Sequence, residues 1–372
     1  MRAAPFAVVL TAPNLRMRVA VDDLNRTLRL VNPDDPVRVA LIGCGAIAES
    51  FHLPALRKAR EGGLAVTLVD PDQDRAAALG GPSGITDLAS SHLEVADRID
   101  AAIIATPHHT HVPIATELIQ AGIPVLSEKP LGTTVAEVKG LIELAEARKV
   151  PVAINQTRRF IPACREIRSR IAEGELGDLR SVRVAEGDRF GWPAASPAMF
   201  GARSGGKGVL LDIGAHVFDL LVWWLGPDMV VESYRDDSYG GSEALAEARL
   251  RAGTATVDVR LSWLAKQPNL YRFEGTEGAL EWSVYDLDRI RIGGRGESSL
   301  AEVKVAKAPR TFQNLAPAVI EDFLVAVEQG RDPAVTPRDV LPSMQAIEMC
   351  YQNRERFSMP WQTFAEVSTD VG

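Results

Sequence analysis

Residues 37–48, VRVALIGCGAIA, decide the fold of this chain. The first six are mostly apolar, which is typical of a strand buried on both faces of a parallel sheet. Gly43 then permits a tight turn, and Gly45 lets the backbone approach a pyrophosphate closely. Ala48 stands where this fingerprint often has a third glycine, before a helical stretch whose first N–H groups are free to bind an anion. The segment predicts a strand, a phosphate-binding turn and a helix.

The same alternation of short apolar runs and helical stretches continues to residue 155. Thr134, with Glu137 three residues later, predicts the start of one of the helices. Five strands alternating with helices predict an α/β fold with a doubly wound parallel sheet. The four further runs are LAVTLVD (64–70), AAIIAT (101–106), IPVLS (123–127) and VPVAIN (150–155).

Beyond residue 156 this alternation is lost, and the pattern predicts an α+β domain with a largely antiparallel, open sheet. Helices are predicted at 161–173, 208–225, 315–329 and 337–354, and strands with period-2 alternation at 244–253, 254–264, 271–275 and 279–284. Residues 1–36 end in the turn-rich NPDDP and predict an appended hairpin or arm. The chain then divides into an extension (1–36), a dinucleotide-binding domain (37–155), a second domain (156–356) and a tail (357–372).

Composition excludes several classes of protein. Lys plus Arg number 41 and Asp plus Glu 49, a formal net charge of −8, which argues against nucleic acid as a partner. Cys44, Cys164 and Cys350 lie far apart, so neither a disulfide framework nor a thiolate zinc site is predicted, and a reducing cytoplasm fits best. No apolar stretch reaches the ~20 residues that cross a bilayer. Residues 3–11 faintly resemble a signal peptide but lack its cleavage site.

Asp70 ends the second predicted strand, 27 residues after Gly43. A carboxylate at this point would accept hydrogen bonds from the adenosine ribose hydroxyls and repel a 2′-phosphate. The sequence therefore predicts NAD, with NADP possible. The alternative is that Asp70 opens a turn with Pro71 and binds nothing.

Lys129 lies in Ser127-Glu128-Lys129-Pro130, at the end of the fourth strand of the predicted sheet, where ligands of doubly wound folds bind. Near a substrate hydroxyl and an oxidised nicotinamide, its ammonium could orient the alcohol and lower its pKa. The alternative is a surface lysine that extends into solvent beside its glutamate.

Asp212, His216 and Asp219 are the polar residues of the otherwise apolar helix predicted over 208–225. Their spacing of i, i+4 and i+7 confines them to a stripe about 60° wide, which should line a cleft. Asp212 paired with His216 would suit a general acid or base oriented by a carboxylate. A structural Asp–His hydrogen bond between helices is the alternative.

Three histidines lie close together in Thr106-Pro107-His108-His109-Thr110-His111. His108 and His109 point apart, and no carboxylate or cysteine joins them, so no metal site is predicted. A loop that covers a cofactor is the favoured interpretation. The chain has no G-x-S-x-G element, and serine-hydrolase chemistry has no support.

Taken in order, these motifs resemble the Gfo/Idh/MocA superfamily, the glucose-fructose oxidoreductase and inositol dehydrogenase group. The resemblance covers about residues 37–355. Besides the motifs above it includes HVPIATELIQAGIPVLSEKPL, RRFIP, GELGDLRSV, GGKGVLLDIGAHVFDLLVWWLG and GRDPAVTPRD. It implies a Rossmann domain, an α/β domain whose open sheet forms a homodimer or homotetramer, NAD(P), and redox chemistry on sugars, cyclitols or related polyols.

The resemblance also assigns roles to individual residues. Lys129 would touch substrate and nicotinamide ribose, and His216, paired with Asp212, would take the hydroxyl proton. The dinucleotide pocket would include Gly43, Gly45, Ala46, Ile47, Asp70, Thr106, Pro107, His111, Glu128, Lys129 and Pro130. By location alone, substrate contacts would be Asn155, Arg159, Trp192 and Arg203.

The leading hypothesis is an NAD(P)-dependent oxidoreductase acting on a secondary alcohol or ketone of a sugar-like polyol. A second is an NAD-dependent glycoside hydrolase or eliminase, in which redox is transient and no net NADH forms. A third is a non-catalytic NAD(P)-binding sensor, against which Lys129, Asp212 and His216 together argue.

Overall fold

A computed structural model describes residues 36–60, 63–193, 207–239, 241–295, 297, 299–305 and 308–358. Almost all of the predicted extension (1–36), most of the predicted tail (357–372) and Arg203 lie outside the described residues.

The first sheet is built from short runs of Val, Ile, Leu and Ala, most of them buried. Its strands are β1 (Val37–Ile42), β2 (Leu64–Val69), β3 (Leu88–Ala89), β4 (Ala101–Ile104), β5 (Val125–Ser127) and β6 (Val152–Ile154). All pairs are parallel, in the order β3-β2-β1-β4-β5-β6. This confirms the predicted doubly wound sheet. The edge strand β3 was not predicted, because two residues are too few to show a pattern.

Helices cross between these strands. They are α1 (Leu53–Arg60), which follows a π-helical turn at Ala48–His52, α2 (Gln73–Gly80), α3 (His111–Gln120) and α4 (Val135–Arg148). The predicted start of α4 is confirmed, since Thr134 and Glu137 form a reciprocal capping box. The strand order reverses between β1 and β4, so the loops after these two strands open a crevice at the carboxyl edge of the sheet.

The second sheet is mixed and mostly antiparallel, as predicted. Within the described residues its order is β14-β13-β12-β11-β7-β10-β9-β8-β15. The strands are β7 (Leu179–Gly187), β8 (Met229–Asp236), β9 (Leu245–Ala252), β10 (Ala255–Ser262), β11 (Leu270–Gly275), β12 (Gly278–Ser283), β13 (Arg289–Gly294), β14 (Ala301–Lys304) and β15 (Arg354–Arg356). Its outer face carries alternating Arg and Glu or Asp side chains in ion pairs.

Helices cover the inner face of the second sheet. They are α5 (Pro162–Ala172), α6 (Val209–Leu225) and α8 (Pro337–Gln352), whereas α7 (Ala316–Gln329) packs against the first sheet. Trp224 anchors α6 by packing edge-on against Tyr271, Phe273 and Trp282. Helix α7 contacts α1 there, and α8 also reaches the helices of the first sheet, because it contacts α4. The division of the chain at residue 155 stays a prediction.

Candidate functional site

A cavity of about 840 Å³ lies between the two sheets. The loops after β1, β2, β4 and β5 form one wall, and α6 with the segment after β7 forms the other. The dinucleotide turn, Lys129 and the polar face of α6, which the sequence placed in separate motifs, therefore share one space.

The glycine turn after β1 fits a bound pyrophosphate. Gly43 has φ +93°, and a Cβ at this position would lie 2.6 Å from the carbonyl oxygen of Ala105, so only glycine is accommodated. A Cβ on Gly45 would meet nothing within 4 Å, which leaves the backbone open to a ligand. Gly45, Ala46 and Ile47 line the cavity, and the first N–H groups of a helix have no partner within it. These residues could hold the phosphates of a dinucleotide.

Asp70 is fixed beside this turn. Its Oδ2 accepts the backbone N–H of Cys44 at 2.8 Å, and its Oδ1 accepts that of Asp72 at 2.9 Å. Each carboxylate oxygen keeps further acceptor capacity, and Asp70 lines the cavity, so ribose hydroxyls could bind there. Burial, with the nearby Asp70 carboxylate, raises the pKa of the Cys44 thiol to about 12. The thiol therefore stays protonated and unreactive.

The loops after β4 and β5 are held together by His111. Its Nδ1 lies 2.8 Å from the Pro130 carbonyl oxygen and its Nε2 lies 2.7 Å from that of Thr106. Burial lowers the pKa of His111, and a neutral imidazole donates to one carbonyl at a time. Thr106, Pro107 and His111 line the cavity.

Glu128 lies at the cavity wall in a buried network. Its Oε1 accepts from His52 Nε2 at 2.7 Å and from Asn155 Nδ2 at 2.6 Å. Burial alone would raise the pKa of Glu128, but these two hydrogen bonds and the Lys129 charge hold it below its ordinary value. The ionised glutamate anchors the turn that carries Lys129.

Lys129 forms an ion pair with Asp212 across the cavity. Its Nζ donates to Asp212 Oδ1 at 2.8 Å and to the Asp212 carbonyl oxygen at 3.0 Å. Burial would raise the pKa of Asp212, but the ammonium of Lys129 lowers it below its ordinary value, helped by a hydrogen bond from Trp263. The carboxylate is ionised, and the ammonium is held at a fixed position.

His216 does not pair with Asp212, so the pairing proposed from the sequence is wrong. One turn separates them on α6, but the Asp212 carboxylate is turned to Lys129. His216 Nδ1 lies 3.2 Å from Oε1 of Gln156 instead. Burial, with the cations of Lys129 and Arg158, lowers the pKa of His216 well below its ordinary value. The imidazole is neutral at pH 7 and lines the cavity.

Asp219 and Arg159 form a buried structural pair rather than a part of the cleft. Arg159 Nε donates to Asp219 Oδ2 at 2.9 Å and its Nη2 to Oδ1 at 2.7 Å. The Arg159 side chain is 6% exposed and the Asp219 side chain is 1% exposed. Two expectations are therefore corrected: Asp219 does not line a cleft, and Arg159 anchors α6 to the turn after β6 rather than meeting a substrate. Its guanidinium must be paired because burial of a lone charge is costly.

The other three residues predicted from location alone have different outcomes. Asn155 is 2% exposed and donates to Glu128, so it supports the Lys129 turn rather than offering its amide to a substrate. Trp192 lines the cavity and is 46% exposed, so its side chain is accessible both from the cavity and from solvent. Arg203 lies outside the described residues.

Sequence reasoning missed several residues of the site. His108, interpreted only as part of a covering loop, lines the cavity, and burial with the Lys129 charge lowers its pKa to about 3. Trp263 and Lys207 also line it. Gln156, whose side chain contacts His216, was also missed. Its position directly after Asn155, at the carboxyl end of a strand, was the signal in the sequence that could have identified it. Among the described residues no group of three or more His, Cys, Asp or Glu could hold a metal ion. No helix in the described part of the chain is long and apolar enough to cross a membrane.

Comparison with known proteins gives consistent matches. Residues 37–156 match an oxidoreductase family with an NAD-binding Rossmann fold, and residues 164–281 match the Gfo/Idh/MocA C-terminal domain. The rhizopine catabolism protein MocA of Rhizobium meliloti is 33% identical over 51% of this chain and 58% of its own length. Inositol 2-dehydrogenase 1 of Saccharopolyspora erythraea is 29% identical over 69% of this chain and 77% of its own. The chain thus spans little more than half of the first of these relatives.

The fold also matches solved structures. Levoglucosan dehydrogenase, in complex with NADH and levoglucosan, superposes with a TM-score of 0.76 at 19% identity, over 86% of this chain and 97% of that chain. The two matching segments are successive domains of one family and together cover more than half of the sequence. The chain belongs to the Gfo/Idh/MocA family of oxidoreductases.

Proposed function

We propose that the protein is an NAD-dependent oxidoreductase that transfers a hydride between the nicotinamide and a secondary alcohol or ketone of a sugar, cyclitol or related polyol. One observation carries the proposal: a neutral imidazole, His216, and a fixed ammonium, Lys129, face the same cavity as a dinucleotide turn. The named relatives, an inositol dehydrogenase and a levoglucosan dehydrogenase, support the substrate class.

Lys129 and His216 can act together on the hydroxyl group of a carbinol, one by stabilising negative charge on its oxygen and the other by accepting its proton. Lys129 has three N–H donors, and the two bonds to Asp212 leave one for a substrate oxygen. That donor stabilises negative charge as it develops on the oxygen. Neutral His216 can accept the hydroxyl proton, and protonated His216 can return it in the reverse direction. Bound NAD supplies the hydride acceptor or donor.

The experiment is a screen of the full chain with NAD⁺ against inositols, pentoses, anhydrosugars and amino sugars. The proposal predicts that reduced nicotinamide accumulates with at least one member. Transient redox in a glycoside hydrolase or eliminase would instead cleave a glycoside with no net reduced nicotinamide. A sensor would bind ligands with no turnover of any kind.

We expect tighter binding of NAD⁺ than of NADP⁺, by at least about tenfold, because juxtaposed like charges cost several kcal/mol. Asp70→Ser should lower that ratio, since the 2′-phosphate would no longer face this carboxylate. Asp74→Ser, in the exposed first turn of α2, is the matched control and should change it little. Isothermal calorimetry measures both affinities. Equal or reversed affinities in the unaltered protein would refute the assignment of Asp70.

We also propose that the protein is a homodimer or homotetramer through the outer face of the second sheet. Ion pairs such as Arg249–Asp258 and Arg260–Glu247 line this face, which offers both signs of charge to a second copy. Light scattering should give a multiple of the chain mass that falls at high salt, because exposed charges are screened. Arg249→Glu should weaken the assembly. A monomer at every concentration would contradict the proposal.

A cytoplasmic location is the remaining proposal. Cys44, Cys164 and Cys350 are unpaired and buried, which suits a reducing compartment. Fractionation of source cells tests it, and recovery of the protein outside the cytoplasm would overturn it.

A further inference from the structure

Gln156 takes the place beside His216 that Asp212 was expected to fill. It follows β6 and is 3% exposed. Its Nε2 donates to the carbonyl oxygen of Ala215 at 3.1 Å, and its Oε1 lies 3.2 Å from Nδ1 of His216. The amide thus bridges the backbone of α6 and the ring of the next residue along that helix.

These two contacts fix the position of a proton. A carbonyl oxygen can only accept, so the NH₂ of Gln156 must face Ala215 and its oxygen must face the imidazole. The ring nitrogen opposite that oxygen has to be a donor. A neutral imidazole carries one N–H, so the proton lies on Nδ1 of His216 and Nε2 keeps a free lone pair.

The charges around the ring favour this neutral form. Lys129, from the loop after β5, and Arg158, from the turn after β6, both lower the pKa of His216, in addition to the effect of burial. The carboxylates of this region are engaged elsewhere: Asp212 by Lys129 at 2.8 Å and Glu186 by Arg158 at 2.8 Å. His216 therefore meets an uncharged amide, which orients the ring without stabilising an imidazolium.

We propose that Gln156 is the positioning residue of the general base: it holds His216 in the Nδ1–H tautomer and so leaves Nε2 to take the hydroxyl proton. In the oxidative direction Nε2 would take the O–H proton, and bound NAD⁺ would supply the acceptor for the carbinol hydride. The step would leave a ketone, reduced nicotinamide and an imidazolium that returns its proton to water. The catalytic part of this inference rests on the proposed function.

The tautomer can be observed directly by ¹⁵N NMR of the full chain with labelled histidine. The sequence has six histidines, and a His216→Gln sample identifies the signals of His216. We expect a protonated Nδ1 and an unprotonated Nε2 in the unaltered protein. Gln156→Met, which removes the acceptor oxygen, should shift the population toward Nε2–H. Gln156→Glu, which keeps an acceptor oxygen opposite the ring, should keep a proton on Nδ1, while its carboxylate raises the pKa of His216.

Kinetics supply the second readout, with the polyol that gives the fastest NAD⁺ reduction. Gln156→Met should lower kcat about tenfold, with little change in KM. A tenfold change in rate corresponds to the free energy that one hydrogen bond typically contributes. The matched control is Gln267→Met, whose amide also donates to a backbone carbonyl, that of Ala265, and which should leave kcat unchanged. A His216 proton on Nε2 in the unaltered protein, or an unchanged tautomer or kcat in Gln156→Met, would overturn the inference. The NMR result needs no turnover, so it stands apart from any failure of the proposed function.

Discussion

Replacing His216 by alanine lowers kcat about 10²–10⁴-fold, the usual contribution of a positioned general base. The neutral imidazole can accept the carbinol proton, whereas the Asp212 carboxylate on the same helix is engaged by Lys129, so the variant leaves proton removal to water. His216 is on α6, whereas the glycine turn and Asp70 are on the loops after β1 and β2, so NAD⁺ affinity should stay near that of the unaltered protein. Steady-state kinetics and calorimetry measure the two quantities.

Thermal unfolding of the same variant serves as its control, because a folded variant must show a similar Tm. Retention of full turnover would remove His216 from the mechanism. Loss of NAD⁺ affinity in parallel with kcat would instead place His216 in cofactor binding.

Replacing Lys129 by methionine lowers kcat by about 10²–10³-fold, as removal of one oxyanion donor does in other enzymes. It also leaves the partly buried carboxylate of Asp212 without its cation. In the unaltered protein the pKa of Asp212 is depressed, so the pair stabilises the fold fully above the unfolded pKa of about 3.9. This contribution to stability declines below that pH and is lost as pH falls through the lower folded pKa. Near neutral pH the variant should therefore unfold at lower urea concentration.

A double variant, Lys129→Met with Asp212→Leu, separates these two effects. Removing both partners of an ion pair is often neutral for stability, whereas removing one is not. The double variant should regain resistance to urea and remain inactive. Recovery of turnover together with stability would show that Lys129 acts only as a structural counterion.

The first sheet was predictable because buried parallel strands have continuous apolar runs. The second sheet was harder, since β7 reads LRSVRVAEG, and its exposed Arg180 and Arg183 together with the buried but charged Glu186 mask the strand. The polar stripe of α6 was predictable from helical spacing, but its partners were not. Lys129, Gln156 and Arg159 lie 60 or more residues away from the α6 side chains that they contact. Periodicity identifies a face of a helix and carries no information about what meets it.

Neighbouring residues in the turn after β6 illustrate the limit. Arg158 pairs with Glu186 on β7, and Arg159 pairs with Asp219 on α6. The two side chains leave a short 3₁₀ turn in different directions, so adjacency in sequence does not give them a shared role. Asn155 and Gln156 are a second example. Asn155 was predicted from its position to contact a substrate, but it binds Glu128. Gln156, one residue later, is the side chain that contacts His216.

The most direct test is the amount of reduced nicotinamide formed per active site with the most reactive polyol of the screen and excess NAD⁺. Hydride transfer between the polyol and a released cofactor predicts accumulation that continues well past one equivalent and nearly vanishes in His216→Ala. A yield that never exceeds one equivalent while product continues to form, or product formed with no reduced nicotinamide, would contradict an NAD-dependent dehydrogenase.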